Sequence, residues 1–143
     1  NVDGKVDAFV AGGGTGGTIT GVGKRLKEIN PNTLIVAVEP EKSPLLSSGK
    51  ASSHGIQGIG ANFIPNILDR NLIDEIIKIK EEEAYLHAKN LGKYEGILCG
   101  ISSGANMAAA LKIAEKLGKG KKVVTILPDT GERYLSTELF NGV

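Results

Sequence analysis

Short apolar runs and amphipathic stretches alternate along this chain, and the alternation predicts strands and helices in turn. Residues 6–11 form an apolar run that ends in three glycines, as a buried strand does where it enters a turn. Over residues 16–30 the apolar side chains recur at helical spacing, at Ile19, Val22, Leu26 and Ile29. Pro31 ends that helix, and residues 33–38 form a second strand-like run. Strand, glycine loop, helix and strand in this order predict a parallel βαβ unit.

The second half of the chain repeats the alternation after an irregular segment at residues 41–72. Residues 73–80 are predicted to form a strand with Ile77 and Ile79 on one face, and three glutamates then open a helix. The buried stripe of that helix is predicted to be Ala84, Ala88 and Leu91. A longer helix follows, with a predicted apolar stripe at Met107, Ala110, Leu111, Ala114 and Leu117. Residues 123–127 form the last predicted strand, and the whole order predicts an α/β fold on a mostly parallel sheet.

Composition and charge narrow the class of protein. The 143 residues are 41% hydrophobic and 23% charged, which is ordinary for one globular domain. The net charge of +1 is spread without a basic block, which disfavours a nucleic-acid-binding surface. No apolar run is long enough to predict a membrane span. A single cysteine, Cys99, excludes an internal disulfide and indicates a reducing compartment.

Glycine is in excess, at 20 of the 143 residues, about twice the usual share. Five of these glycines fall within residues 12–17, between the first predicted strand and the first helix. Glycine lets the backbone approach a ligand closely, and the start of a helix presents unpaired N–H groups. Thr15 and Thr18 add hydroxyls that can reach the same anion. We therefore predict a phosphate cradle in the loop at residues 12–18.

The same loop also fits a dinucleotide-binding pattern. Gly12, Gly14 and Gly17 satisfy G-x-G-x-x-G. Glu39 stands 22 residues beyond Gly17, at the end of the second strand, where an acid that binds a ribose is expected. The threonine hydroxyls of the loop favour a single terminal phosphate over a pyrophosphate. A nicotinamide-dinucleotide-binding domain is therefore kept as an alternative.

A pair of serines, Ser102 and Ser103, lies between Gly100 and Gly104, where a short apolar run meets the longer helix. Either these hydroxyls cap the start of the helix, or one of them points at a bound ring or substrate. The residues alone favour the cap, because serine is a preferred residue at that position.

The remaining candidates for chemistry have structural interpretations. Cys99 lies in an apolar run and is predicted to be a buried small hydrophobic residue. His54 and His87 are isolated from each other and are predicted at the surface, so we expect no metal site.

Four blocks of sequence together resemble cysteine synthase (O-acetylserine sulfhydrylase), a family of fold-type II pyridoxal-phosphate enzymes. The blocks are GGGTGGTITGVG at 12–23, IQGIGANFIPNILD at 56–69, GILCGISSGAN at 96–106 and LPDTGERYLSTELF at 127–140. They occur in the family's order, and the resemblance runs over essentially the whole chain. It implies a three-layer αβα fold with a mostly parallel, twisted sheet, and pyridoxal 5′-phosphate as the cofactor.

The resemblance also implies roles for individual residues. Those implied to hold the cofactor phosphate are Gly14, Thr15, Gly16, Gly17 and Thr18. Ser102 is implied to be the partner of the pyridine nitrogen, and a hydroxyl there makes the ring a milder electron sink than a carboxylate would. Gly58 and Gly60 are implied to line the amino-acid site, and Pro128 and Asp129 to lie near the ring and its solvent edge.

In this family a lysine forms the Schiff base with the cofactor, and a loop of Asn, Thr and Ser binds the substrate carboxylate. Both belong to the N-terminal part of the family, and no lysine of this chain has a matching context. No catalytic residue is therefore assigned in this segment, and the Schiff-base lysine is expected N-terminal of Asn1. We expect residues 1–143 to be a single domain, the C-terminal part of a longer enzyme, and to be inactive alone.

For the whole protein, the resemblance implies synthesis of L-cysteine and acetate from O-acetyl-L-serine and sulfide by β-elimination and replacement. It also implies a cytoplasmic homodimer, and some members are bound by the C-terminal tail of serine acetyltransferase. A regulatory relative that keeps the phosphate loop without the chemistry is a further alternative.

Overall fold

Strands and helices alternate in the computed structural model, which describes residues 5–12, 17–56, 59 and 68–128. The strands are β1 (Ala8–Gly12), β2 (Leu34–Pro40), β3 (Glu75–Ile79) and β4 (Val123–Thr125). The α-helices are α1 (Gly17–Ile29), α2 (Leu45–Ser48), α3 (Glu81–Glu95) and α4 (Ile101–Leu117), and a 3₁₀ helix spans Arg70–Leu72. The predicted order of elements is confirmed, although β2 extends further than predicted and β3 and β4 are shorter.

The strands form one parallel sheet in the order β3-β2-β1-β4. The chain runs outward from β1 through β2 to β3, and then crosses back to place β4 on the other side of β1. The order therefore reverses between β1 and β4. In open α/β sheets, ligands bind outside the carboxyl ends of the strands at such a reversal.

Alternate residues of the sheet face two separate hydrophobic cores. On one face Val10, Val36 and Val38 pack with α3 and α4. On the other face Phe9, Ile35 and Ala37 pack with Ile19 of α1. Helices thus cover both faces of a parallel sheet, which confirms the predicted three-layer α/β architecture.

The buried stripes of the helices were predicted correctly for α3 and only in part for α1. Ala84, Ala88 and Leu91 are buried, as expected. On α1 the prediction was wrong for Val22 and Ile29, which are exposed. Gly23 is buried instead, and a Cβ added there would lie 3.3 Å from Cγ2 of Ile35. The helix packs on the sheet through its backbone, a contact that hydrophobicity does not register.

The stripe predicted for α4 was also partly wrong. Leu111 is exposed, and Met107 is only half-buried against the core. The buried surface is instead made largely of small residues in the first half of the helix: Ile101, Ser102, Ser103, Gly104, Ala105, Asn106, Ala108, Ala109, Ala110 and Ile113. These residues are buried because α4 lies between α3 and the sheet.

Gly104 is the point of closest approach between α3 and α4. A Cβ added to Gly104 would overlap the backbone oxygen of Ala84 and would lie 2.8 Å from the backbone nitrogen of Ala88. No real side chain accepts such distances, so the two helices meet backbone to backbone at this position.

Gly104→Ala is expected to lower the free energy of unfolding by roughly 1–3 kcal/mol, because the added methyl group overlaps α3. Gly21→Ala is the matched control, since a Cβ there meets nothing within 4 Å. Its higher helix propensity should stabilise the chain by up to about 1 kcal/mol. Urea unfolding followed by circular dichroism measures both changes. An unchanged midpoint for Gly104→Ala would contradict this packing.

Candidate functional site

The carboxyl ends of β1 and β4 and the start of α4 meet at one edge of the sheet. β1 ends at Gly12, and β4 leads into residues 126–128. Thr125 donates its hydroxyl proton to the carbonyl of Val10 at 2.8 Å, and the side chain of Asn106 donates to the carbonyl of Ile126 at 2.9 Å. This edge is where the strand order reverses, and it is the candidate site.

Ser102 lies in the first turn of α4 and is 1% exposed. Among the residues that the structure describes, its hydroxyl oxygen has no hydrogen-bond partner. The helix is capped by Gly100, and no side chain caps it, so the interpretation of this serine as an N-cap was wrong. A buried hydroxyl without a partner is costly, and such groups are uncommon outside sites that receive a ligand or a water molecule. Ser102 is therefore suited to donate a hydrogen bond to a bound molecule.

Ser103 is equally buried but has different surroundings. Its hydroxyl lies by the thiol of Cys99 and has no hydrogen-bond partner of ordinary geometry within the part of the chain that the structure describes. Burial raises the pKa of the Cys99 thiol, and the Ser103 hydroxyl acts weakly in the opposite direction. The prediction that Cys99 is a buried small hydrophobic residue is confirmed. Because Ser103 lies by Cys99, Ser103→Ala can serve as the control for a substitution of Ser102.

Asn106 is a site residue that reasoning from the sequence missed. It lies four residues after Ser102, and residues at this spacing share one face of a helix. The side chain is 2% exposed, and no described residue makes a hydrogen bond with its carbonyl oxygen Oδ1. The signal available in the sequence was a single amide one turn after the serine, within a run of small residues.

Gly12 lies against Ile59, which stands in a second glycine cluster of the sequence, Gly55, Gly58 and Gly60. A Cβ added to Gly12 would overlap Cγ2 of Ile59, which lies between Gly58 and Gly60 in the sequence. The same added Cβ would stand 3.7 Å from Oδ1 of Asn106. The end of β1, the second glycine cluster and the polar face of α4 thus converge at this edge.

Part of the predicted phosphate cradle lies within the described residues. Gly17 begins α1, and Thr18 is exposed in its first turn, while Gly14, Thr15 and Gly16 lie outside the described part. The first turn of α1 carries no acidic residue, so nothing on it opposes the positive end of the helix dipole.

Of the other predicted site residues, only Pro128 lies within the part of the chain that the structure describes. Pro128 is exposed and lies two residues after Ile126, so the structure brings its segment to the edge that carries Ser102. Gly58, Gly60 and Asp129 lie outside the described residues, and their roles stay predictions.

No catalytic residue was assigned to this chain, because the Schiff-base lysine was expected N-terminal of Asn1. Asn1 itself lies outside the described residues, so the structure does not test where that lysine is. Its position before Asn1 therefore stays a prediction.

Glu39 does not have the surroundings of a ribose-binding acid. It is 2% exposed, and its two carboxylate oxygens accept hydrogen bonds from the backbone nitrogens of Leu46 at 2.8 Å and Ser47 at 3.0 Å. Both oxygens are therefore engaged at the start of α2. This arrangement argues against the dinucleotide alternative.

Glu81 holds the segment that leads into the second glycine cluster. Its carboxylate accepts a hydrogen bond from the backbone nitrogen of Gly55 at 2.6 Å and pairs with Lys42 at 3.4 Å. The bond from Gly55 lowers the pKa of the Glu81 carboxyl, and Lys42 acts in the same direction against the opposing effect of burial. Glu81 therefore holds the backbone at Gly55 in place while it is ionised.

The histidines were predicted at the surface, and the structure places both His54 and His87 in half-buried positions. Among the residues that the structure describes, no group of His, Cys, Asp and Glu could hold a metal ion. In that same part of the chain, no helix is both long and apolar enough to cross a membrane.

Comparison with known proteins identifies the family to which this chain belongs. The family profile of pyridoxal-phosphate-dependent enzymes matches residues 1–129, and the chain belongs to that family. Within it, the resemblance to the cysteine synthases is confirmed by both sequence and structure. The chain is 55% identical over 136 residues to the cysteine synthase of Staphylococcus aureus strain Mu50, which covers 95% of this chain and 44% of that protein.

Solved structures agree with this relationship. Isoform 3 of O-acetyl serine sulfhydrylase from Entamoeba histolytica superposes with a TM-score of 0.95 at 48% identity, over 99% of this chain and 43% of that one. An O-ureido-L-serine synthase superposes with a TM-score of 0.93 at 47% identity, over 97% of this chain and 44% of that one. The chain thus spans less than half the length of the relatives it matches.

The hydrogen bond from Gly55 to the Glu81 carboxylate predicts that the stability of the fold depends on pH. Because its folded pKa is lowered, Glu81 stabilises the fold above its ordinary value of 4.5, and this contribution is lost as the pH falls through the lowered pKa. Glu81→Gln should therefore be less stable than the unmodified chain at neutral pH, and the difference should shrink in acid. The exposed neighbour Glu82 provides the control variant, Glu82→Gln. Urea midpoints measured between pH 7 and about pH 3 test this prediction. A difference between Glu81→Gln and the unmodified chain that does not change with pH would contradict the stabilising role of the ionised Glu81 carboxylate.

Proposed function

We propose that this chain is the cofactor-binding part of a pyridoxal-phosphate-dependent cysteine synthase. The whole enzyme would make L-cysteine and acetate from O-acetyl-L-serine and sulfide. The observation that carries the proposal is the hydroxyl of Ser102, which is buried, with no partner in the described part of the chain, at the edge where the strand order reverses. The similarity to cysteine synthases supplies the substrates, and the family supplies the cofactor.

The surroundings of Ser102 fit the nitrogen edge of a pyridine ring. A neutral hydroxyl can donate one hydrogen bond to an unprotonated ring nitrogen and brings no charge that would hold a proton there. When bound, the cofactor withdraws electrons from the amino-acid substrate, which permits loss of acetate and addition of sulfide. The contribution of Ser102 is to orient the ring and to keep this withdrawal moderate.

The opposite end of the cofactor has a place at the start of α1. We propose that Gly14, Thr15, Gly16, Gly17 and Thr18 hold the phosphate. Backbone N–H groups at a helix start and threonine hydroxyls are suitable donors to an anion. The substrate would lie over Gly58 and Gly60, with Pro128 and Asp129 near the ring. The contact of Ile59 with Gly12 supports this placement, since it joins the two glycine clusters.

The lysines of the chain support the proposal that the covalent partner of the cofactor lies outside it. All fourteen lysines are among the described residues, and none of them is buried. Lys27, one of the two that are half-buried, is paired with Asp74 at 2.8 Å. A lysine that closes on a ring beside Ser102 would share its burial. We therefore propose that residues 1–143 form a single domain, the C-terminal part of a longer enzyme, whose catalytic lysine lies N-terminal of Asn1.

Three further properties come from the resemblance alone and are proposed with it. The whole enzyme would be a homodimer in the cytoplasm. It would be able to receive the C-terminal tail of a serine acetyltransferase. One structural relative is an O-ureido-L-serine synthase. Serine derivatives other than O-acetyl-L-serine should therefore be tested as substrates as well.

The isolated chain is expected to form no cysteine from O-acetylserine and sulfide in the presence of pyridoxal phosphate. Cysteine is measured by chromatography, with the cysteine synthase of Staphylococcus aureus as the positive control and the heat-denatured chain as the blank. Cysteine above the blank would contradict the proposal that the catalytic lysine lies outside this chain.

A chimera tests whether the segment supports catalysis. The chain replaces the matching 44% of the Staphylococcus aureus cysteine synthase, to which it is 55% identical. We expect cysteine formation that is reduced by Ser102→Ala. A chimera that binds the cofactor and forms no cysteine would instead favour a noncatalytic relative.

Binding to the isolated chain tests the pocket directly. The probe is 4′-deoxypyridoxine 5′-phosphate, which lacks the aldehyde that would react with surface lysines. We expect Ser102→Ala to weaken binding by roughly three- to tenfold, the range for loss of one neutral hydrogen bond. Ser103→Ala is the matched control and should bind as the unmodified chain does. Equal affinity of both variants, measured by calorimetry, would contradict the role of Ser102.

A further inference from the structure

The two polar ends of the Asn106 side chain have different surroundings. The Nδ2 group donates to the carbonyl oxygen of Ile126 at 2.9 Å, whereas Oδ1 has no partner among residues 5–12, 17–56, 59 and 68–128, although the side chain is only 2% exposed. The bond to Ile126 sets the orientation of the amide. Oδ1 is therefore held on the side of Gly12, close to the end of β1.

The bond from Asn106 fastens the segment that follows β4. β4 is only three residues long and pairs with β1, and its residues are half-buried. Ile126 directly follows this short strand, and Pro128 lies two residues further on. A buried side-chain hydrogen bond at Ile126 thus extends the attachment of the chain beyond the last strand residue.

Ser102 is carried by the same face of the same helix. Residues i and i+4 lie one above the other, about 6 Å apart along the helix axis. α4 thus presents Ser102 beyond the strand ends and Asn106 at their level, where it contacts Ile126. The distance between Ser102 and residues 126–128 depends on the bond that Asn106 makes.

We infer that Asn106 is a positioning residue, which holds residues 126–128 against α4 so that they and Ser102 line one pocket. This inference rests on the proposed function for the identity of the ligand, a phosphorylated pyridine. The anchoring of residues 126–128 does not depend on that identity. Asn106 acts through Ile126 and through the placement of Ser102, and it need not touch the ligand.

The first arm of the test uses the chain without ligand. Asn106→Leu removes the donor and keeps a buried side chain, and Ser103→Ala is the control in the same turn of α4. Hydrogen exchange followed by NMR should show the amides of Ile126 and Leu127 exchanging about tenfold faster in Asn106→Leu, in proportion to one lost hydrogen bond. The amide of Val10 in β1 should not change, and neither should any of these amides in Ser103→Ala.

The second arm uses a pH profile that a merely steric role would not produce. In Asn106→Asp, a protonated carboxyl can still donate to Ile126, while an ionised carboxylate cannot and repels the carbonyl oxygen. Burial raises the pKa of a carboxyl, so the aspartate is expected to be protonated at about pH 5 and ionised at about pH 8. The affinity for 4′-deoxypyridoxine 5′-phosphate, divided by that of the unmodified chain at the same pH, should therefore be near one at about pH 5 and fall about tenfold by about pH 8. Asn106→Leu should bind more weakly than the unmodified chain at every pH.

Each outcome decides the inference. Unchanged exchange at Ile126 and Leu127 in a folded Asn106→Leu overturns the anchor. A relative affinity of Asn106→Asp that stays constant with pH overturns the positioning of the pocket. If the unmodified chain does not bind the probe while Asn106→Leu loosens residues 126–128, the proposed function fails. Asn106 is then an anchor of the fold only, which overturns its role in a ligand site.

Discussion

The contact between α3 and α4 at Gly104 is the constraint on which the candidate site depends. Because no side chain separates the two helices there, α4 fits between α3 and the sheet. This burial encloses the whole first half of α4, including its polar residues. Ser102 and Asn106 are thereby removed from water without being given a full set of hydrogen bonds. A wider spacing of the helices would admit solvent and remove the reason for these groups to bind a ligand.

Some polar groups near the site make hydrogen bonds, and others do not. Both oxygens of Glu39 are engaged by backbone nitrogens, and Glu81 is engaged by Gly55 and Lys42. These carboxylates hold loops in place. The hydroxyl of Ser102, in contrast, has no hydrogen-bond partner in the described ranges of the chain. Since unmet buried groups cost free energy, their concentration at one edge of the sheet is the reason for proposing that a ligand binds there.

Much of the fold follows from the sequence, because apolar runs bounded by glycine or proline identify β1, β2 and the helices that separate them. The stripe on α3 was predicted correctly because alanine and leucine mark its buried side. The stripes on α1 and α4 were partly wrong, because Gly23 and Gly104 pack through backbone, which a hydrophobic pattern cannot show. Asn106 was missed because its importance lies in a bond to Ile126, 20 residues away. Glu39 lies at the end of β2, as predicted, but its carboxylate binds the backbone of α2, and spacing in a motif does not reveal what a carboxylate binds.

The overlap that a side chain at Gly12 would create with Ile59 has a consequence for variation of this sequence. Positions 12 and 59 are 47 residues apart, yet they share one volume. A residue larger than glycine at position 12 can be accommodated only if the side chain at position 59 shrinks in compensation. Substitutions at positions 12 and 59 therefore have to be made together. Engineering of one loop alone, to enlarge the pocket or to change its substrate, must begin with this pair.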